Sequence, residues 1–322
     1  RCQNAGARLV VQKLPEMFDG EQEVVESFFA GATERTKLIV VSHVTSPTAL
    51  ILPIEAICRR AQELGIRICV DGPHALATVP VDINRLNCDF YCASCHKWLS
   101  APFGSGFLYV HPRWKQTVRP VVLSWGESIS GLPRSWHDEF VWSGTRDPSP
   151  FLAVPAAIDF LASLSAGTEP GTAESTVASV ESSPCGSSSE GAWLRDASQG
   201  RDGVAVFRTR SSALARYARS KIAPLLQSEP LGKEGSGWYG PMISFPLPNR
   251  FGEVPPGHIH PLQAALWERH KIETLVANRN GQRHLRVSCH LYNDESDIDR
   301  LAAALAEILG DGKTAAAISS SC

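Results

Sequence analysis

The sequence predicts an α/β fold, with a mostly parallel sheet in a large domain followed by a smaller α+β domain. Three observations support this prediction. The chain has 322 residues, which is long enough to bury a large core. The N-terminal third alternates apolar, strand-like runs with helix-like segments. Those runs are continuously apolar, a pattern typical of parallel strands that are covered on both faces.

The first half of the chain provides the predicted parallel sheet. A helix over 54–64 begins after Pro53 and ends at Gly65, residues suited to the first turn and to the C-terminal stop. Ligands of such sheets bind beyond the carboxyl ends of the strands, where Asp71 and Ser94 lie. The predicted strands are 37–41, 66–70, 89–92 and 106–110.

The second half provides the smaller domain. Residues 165–203 are rich in Ser, Gly, Thr and Glu, a composition that predicts a flexible surface insertion. We expect a large domain over 1–150 and a small domain over 151–322. The elements predicted for the latter are helices at 153–164, 204–226, 261–270 and about 293–310, and strands at 242–247 and 284–289.

Composition argues against several classes of partner. A net charge of −2 gives no electrostatic basis for binding nucleic acid or an anionic membrane. No apolar run is long enough to span a bilayer. The nine cysteines are scattered and odd in number, which favours reduced thiols and a cytoplasmic location. Organellar targeting stays open, because the chain begins at Arg1 rather than at a methionine.

Lys97 and Asp71 are the most informative pair of residues. A lysine just past one strand and a carboxylate at the end of another can hold the two ends of one cofactor ring. Pyridoxal 5'-phosphate (PLP) requires this arrangement, with a Schiff-base lysine and an acid paired to the ring nitrogen. From the residues alone, Lys97 could equally be a surface lysine and Asp71 a helix N-cap.

Three polar neighbours extend this candidate site. Ser94 and His96 stand three residues and one residue before Lys97, within reach of a cofactor phosphate, although either could belong to a packed polar turn. His74 could bond a ring hydroxyl or a backbone carbonyl.

A zinc site is the alternative use of this region, with Cys88, Cys92, Cys95 and His96 as its ligands. Structural zinc sites usually bring two ligand pairs separated by a loop, and no second pair is visible. We therefore predict no metal.

Four motifs carry a resemblance, namely Ser42–Thr48, Asp71–Ala75, Cys95–Leu99 and Ala101–Val110. Together they resemble the class V aminotransferases, which are fold-type I PLP enzymes of the aspartate aminotransferase-like fold. The similarity is strongest to the isopenicillin N epimerase-like branch and covers about 5–164 and 204–309. Nothing in 1–36 matches the N-terminal segment of the family, so we expect this segment to be missing. The resemblance makes 1–150 the PLP-binding domain.

The resemblance implies a role for each cofactor-binding residue. Lys97 forms the Schiff base and moves the α-proton of the substrate. Asp71 keeps the pyridine nitrogen protonated, and His74 contacts the ring hydroxyl. Ser94 and His96 bind the phosphate.

Two further residues define the substrate and the assembly that the resemblance implies. Thr145 matches a threonine that reaches the phosphate of the neighbouring subunit, which implies a homodimer. Arg286 matches the arginine that clamps the α-carboxylate of a small amino-acid substrate.

These roles predict a PLP-dependent enzyme that acts on an amino acid or a modified cysteine, as a C–S lyase or an epimerase, with transamination left open. A persulfide-forming desulfurase is disfavoured, because Cys289 falls in a predicted strand and Cys322 in a polar tail. The alternative is a catalytically inactive, truncated homologue that serves as a binding or dimerisation module.

Overall fold

A computed structural model of the chain describes residues 2–15, 18, 20–122, 124, 135–141, 143–164, 203–248, 258–279 and 281–310. The chain divides into two units, each described by itself. The first unit takes 1–45, 52–76 and 80–157, and the second takes 46–51, 77–79 and 158–322. The assignment of 1–150 and 151–322 to two functional domains stays a prediction.

A four-stranded sheet organises the first unit. Its strands are β1 (Leu38–Ser42), β2 (Arg67–Asp71), β3 (Phe90–Ser94) and β4 (Gly106–Val110), and their order in the sheet is the order in the chain. β1, β2 and β3 are parallel, whereas β4 is antiparallel to β3. The mostly parallel sheet that the sequence predicted is therefore confirmed.

Helix α2 (Ile54–Glu63) shows how the local sequence builds this sheet. It begins after Pro53 and ends before Gly65, whose φ of +64° suits a residue without a side chain. The turn at Gly65 leads directly into β2, which α2 contacts. The other helical segments of this part of the chain are the 3₁₀ turns Gln3–Ala5 and Pro112–Trp114 and the helices α1 (Glu21–Phe29), α3 (Ile83–Leu86), α4 (Asp138–Val141), α5 (Ser149–Leu152) and α6 (Val154–Ala162).

The two faces of the sheet differ in burial. Ile68 and Val70 of β2 are fully buried on one face. On the opposite face Leu38, Val40 and Leu108 are 51%, 64% and 53% exposed. Over the described residues, the expected cover is therefore present on one face and incomplete on the other. A continuous apolar run favours two covered faces, but the neighbours that cover a face come from the tertiary structure.

The second unit contains a three-stranded antiparallel sheet with helices. Its strands are β5 (Met242–Pro246), β6 (Leu275–Arg279) and β7 (Gln282–Ser288), in the order β5-β7-β6. The helices α7 (Gly203–Leu226), α8 (Pro261–His270) and α9 (Glu295–Gly310) complete it, and α7 contacts both α9 and β5. The core is apolar and includes Leu214, Ile222, Ile243, Phe245, Leu266, Leu285, Leu301 and Leu305.

Two features of this half bear on the sequence predictions. β6 was not predicted, although the dipeptide Asn280-Gly281 that precedes β7 is a typical hairpin signal. Apart from Gly203, the predicted insertion over 165–203 lies outside the described residues. None of the helices that the structure describes is both long and apolar enough to cross a membrane.

Candidate active site

The carboxyl ends of the parallel strands carry the candidate site. Beyond β1 and β2, the His43 N–H donates to the carbonyl oxygen of Asp71 at 2.8 Å. Beyond β2, the Gly72 N–H donates to the carbonyl oxygen of Cys92 at 2.7 Å. The backbone pairing thus continues past the strands, and it holds the segment that starts at Asp71 beside β3, which ends at Ser94.

Gly72 is required by packing rather than by a turn. A Cβ atom added at this position would lie 2.1 Å from Oη of Tyr91, a side chain that is only 1% exposed. Oη of Tyr91 also hydrogen-bonds Nδ1 of the buried His43 at 3.0 Å. The backbone next to Asp71 therefore packs directly against the buried ring of Tyr91. Any larger residue at position 72 would displace that ring or the backbone.

Two turns bring Lys97 to His74. His74 lies in the turn after Asp71, where the Ala75 N–H donates to the Gly72 carbonyl at 3.0 Å. Lys97 lies in the turn after β3, where its carbonyl accepts from the Ser100 N–H at 3.0 Å. Nζ of Lys97 and Nε2 of His74 are 3.2 Å apart. The structure therefore places these two predicted site residues in direct contact.

Trp98 is a neighbour of this pair that the sequence reasoning did not assign. Its indole Nε1–H donates to Nδ1 of His74 at 3.2 Å, and its side chain is only 5% exposed. The imidazole of His74 is thus held between Trp98 and Lys97. No signal in the sequence distinguished Trp98 from an ordinary core residue.

Cys92 is a second neighbour, and it lies beside Asp71. Its Sγ–H donates to Oδ1 of Asp71 at 3.6 Å, because the two residues are register partners on β3 and β2. Burial, followed by the nearby Cys69 and Asp71, raises the pKa of the Cys92 thiol to about 12. Cys92 therefore stays protonated at neutral pH and acts as a donor to the carboxylate.

His96 carries a buried polar atom that can accept or donate one more hydrogen bond. Its ring packs against Phe103 with 5.0 Å between the ring centroids. Its Nδ1 is buried and has no hydrogen-bond partner in the part of the chain that the structure describes. Buried polar atoms are normally paired, so this nitrogen fits a site that binds a polar ligand. Ser94, at the end of β3, is half-buried.

Thr145 and Arg286 are the two remaining predicted site residues. Thr145 is exposed, between α4 and α5. Arg286 belongs to β7 of the second unit, where its Nη1 donates to the backbone oxygen of Ser46 at 2.9 Å and to Oγ of Ser46 at 3.0 Å. Burial lowers the pKa of the Arg286 guanidinium, and its Nε is buried with no partner in the described ranges.

The donor set fits PLP. The cofactor needs a primary amine, a carboxylate for its ring nitrogen and donors for its phosphate. The first unit offers Lys97, Asp71 and the unpaired nitrogen of His96. Over the described ranges, no group of three or more His, Cys, Asp or Glu side chains is arranged to hold a metal ion.

Comparison with solved structures defines the fold. A cysteine desulfurase from Thermococcus onnurineus NA1 is 18% identical and superposes with a TM-score of 0.67, which covers 96% of this chain and 68% of that one. The cystine C–S lyase C-DES, solved with its reaction product cysteine persulfide, is 22% identical with a TM-score of 0.61. That match covers 88% of this chain and 64% of C-DES. The predicted fold type I is thereby confirmed.

Comparison of sequences then defines the family. The class-V aminotransferase family model matches residues 2–170. The isopenicillin N epimerase of Streptomyces clavuligerus is 32% identical over 317 residues, 95% of this chain and 69% of that protein. The isopenicillin N epimerase of Amycolatopsis lactamdurans is 33% identical over 311 residues, 94% of this chain and 66% of that protein.

A partial match extends the range of relatives. Putative L-cysteine desulfhydrase 2 of Oryza sativa subsp. japonica is 33% identical over 178 residues, 51% of this chain and 36% of that protein.

The chain belongs to the class-V aminotransferase family. It spans about two thirds of the length of the two epimerases. The family and the class of PLP-dependent enzymes that the motifs implied are confirmed, and the roles of individual residues stay predictions.

Proposed function

We propose that this chain acts as a PLP-dependent enzyme on an amino acid or a modified cysteine, as a C–S lyase or an epimerase. The observation that carries the proposal is the contact between Nζ of Lys97 and Nε2 of His74, at 3.2 Å, beside the carboxyl ends of β2 and β3. Relatives named as epimerases and as a desulfhydrase support both reaction types.

Each candidate residue has a distinct task in this proposal. Lys97 is the amine that attaches the cofactor and then carries the α-proton of the substrate. Asp71, which accepts a hydrogen bond from Cys92, holds a proton on the ring nitrogen. His74 faces the ring hydroxyl, and Ser94 and His96 hold the phosphate. PLP supplies an electron sink for the charge that develops at the α-carbon.

Two further residues, Arg286 and Thr145, have roles in substrate binding and in dimer formation in this proposal. Arg286 binds the α-carboxylate, because a guanidinium with a buried, unpaired Nε can complete a bidentate pair. The exposed Thr145 serves the phosphate site of a second copy, so the enzyme is a homodimer. The described cysteines are free thiols, which fits a reducing compartment such as the cytoplasm.

Covalent attachment of PLP is the first test. The purified chain is mixed with PLP, reduced with borohydride and digested, and the modified peptide is identified by mass spectrometry. We expect one PLP per chain on Lys97. Lys97→Ala should lose the modification, whereas Lys37→Ala, which removes an exposed lysine, should retain it. A chain that takes up no PLP would instead support the alternative of a catalytically inactive homologue.

A second assay separates the two reaction types. The chain with PLP is incubated in D₂O with L-cysteine and with other amino acids. Formation of the D-amino acid with deuterium at the α-carbon and an intact side chain indicates an epimerase. Release of sulfide indicates a C–S lyase. Both activities require Lys97, so Lys97→Ala should abolish either one.

A further inference from the structure

The hydrogen bonds around His74 determine which of its ring nitrogens carries the proton. The indole of Trp98 has one N–H and no acceptor, so it can only donate to Nδ1 of His74. A neutral imidazole has one donor and one acceptor nitrogen. Because Nδ1 accepts, the proton of neutral His74 lies on Nε2.

This tautomer has a consequence for Lys97. The Nε2–H of His74 points toward Nζ of Lys97 at 3.2 Å, and it needs a lone pair on that nitrogen. A neutral amine has such a lone pair, and an ammonium group does not. A charged Lys97 would require Nε2 to accept as well, so His74 would have to give up one of its two hydrogen bonds.

We propose that Trp98 is a positioning residue that fixes His74 in the Nε2–H tautomer and thereby favours the neutral, nucleophilic amine of Lys97. The inference rests on the proposed function only in taking Lys97 as the reacting amine. The tautomer itself follows from the contact with Trp98 and is derived without PLP.

The packing around Trp98 supports a fixed donor. The side chain is 5% exposed, so water does not compete freely for the indole N–H. The turn that carries it is closed by the Ala101 N–H, which donates to the Cys95 carbonyl at 3.0 Å. The titratable groups of this region include His74 in contact with Lys97, His96 with its ring on Phe103, Asp71 bonded by Cys92, and the thiol of Cys95, whose pKa burial raises.

Nitrogen NMR tests the tautomer directly. The full chain, labelled with ¹⁵N-histidine and prepared without added PLP, gives separate ¹⁵N shifts for protonated and unprotonated ring nitrogens. A His74→Gln sample identifies the signals of His74. We expect a proton on Nε2 in the native chain and a mixture of tautomers in Trp98→Phe. Trp267→Phe, which removes an indole that is 54% exposed, should leave the signals unchanged.

The reactivity of Lys97 gives a second readout. Acetic anhydride modifies neutral amines, and the pH dependence of acetylation at Lys97 can be followed by mass spectrometry. Loss of one hydrogen bond should raise the midpoint in Trp98→Phe by about one pH unit. Trp267→Phe should show the native midpoint.

Two results would overturn the inference. One is a proton on Nδ1 of His74 in the native chain, a result that does not depend on the folding of any variant. The other is a folded Trp98→Phe chain with the native tautomer and the native acetylation midpoint. Failure of PLP to attach to Lys97 would refute the proposed function but would not change either measurement.

Discussion

His43 is a buried histidine whose ionisation is linked to folding. Its side chain is 7% exposed, and its Nδ1 hydrogen-bonds Oη of Tyr91 at 3.0 Å. Burial lowers the pKa of His43 from 6.5 to about 4, because the charged form would lose its hydration. The unfolded chain therefore binds more protons than the folded chain between these two pH values.

The free energy of unfolding should consequently decrease as the pH falls from 6.5 to 4. The stability that neutral His43 contributes is fully present above 6.5 and is lost as the pH falls through this window. Urea unfolding at several pH values measures the slope. We expect a shallower slope for His43→Gln, whose side chain does not titrate, and the native slope for His258→Gln at an exposed position. An identical slope in His43→Gln would contradict the assignment.

At the residue scale, the sequence predicted only part of the candidate site. Asp71 and Lys97 follow from strand ends and from the chemistry of a cofactor, and the structure places Lys97 against His74. Trp98 and Cys92 could not be assigned from the sequence. The contact of Trp98 with His74 depends on how two turns pack, and the contact of Cys92 with Asp71 depends on the register of β3 against β2. The need for glycine at position 72 could not be predicted either, because it comes from the close approach of Tyr91 in the folded chain.

At the level of elements, Asp89 connects β2 to the 3₁₀ turn after β4 through hydrogen bonds. Its side chain is 5% exposed and accepts hydrogen bonds from the Ile68 N–H at 2.8 Å, from Arg113 at 2.7 and 2.9 Å, and from the indole of Trp114. Burial alone would raise the pKa of Asp89, but the bonds from Trp114, Ile68 and Arg113 lower it overall. The carboxylate therefore joins β2 to the 3₁₀ turn after β4.

Removal of this carboxylate should destabilise the fold. Asp89→Ala leaves the buried N–H of Ile68 and the half-buried indole N–H of Trp114 without their acceptor, which we expect to cost about 2–4 kcal/mol. Asp82→Ala is the matched control, since it removes an exposed N-cap of α3 and should cost about 1 kcal/mol. Chemical denaturation measures both. Equal losses of unfolding free energy in the two variants would mean that the Asp89 carboxylate does not stabilise the contact between these elements.

Element prediction succeeded where the local sequence decides the outcome. The predicted strand 106–110 and helix 261–270 match β4 and α8, because turn residues mark their ends. β6 was missed, since Leu275–Arg279 is short and has neither strict alternation nor a continuous apolar run. Its strand state comes from pairing with β7, a tertiary effect that the segment itself does not encode.

At the scale of the whole molecule, one face of the first sheet exposes apolar side chains in the part of the chain that the structure describes. Leu38 and Val40 alternate with Ile39 and Val41 along β1, so they share one face. Ser42, the register partner of Asp71, lies on that same face. An exposed apolar surface of this kind is a site for other apolar groups. It is also the face on which the carboxylate of the candidate site stands.

This face should bind a hydrophobic dye in the folded chain. We expect fluorescence of the dye ANS with the native chain, and a clear decrease with the double variant Leu38→Thr/Val40→Thr, because both side chains are more than half exposed. The free energy of unfolding should change by about 0.5 kcal/mol or less, since threonine suits a strand and little buried area is lost. Val41→Thr, at a position that is 3% exposed, should instead destabilise the chain by about 1–3 kcal/mol and leave dye binding unaltered. Unchanged fluorescence in the double variant would show that the dye binds elsewhere, and that this face is not the apolar surface of the chain in solution.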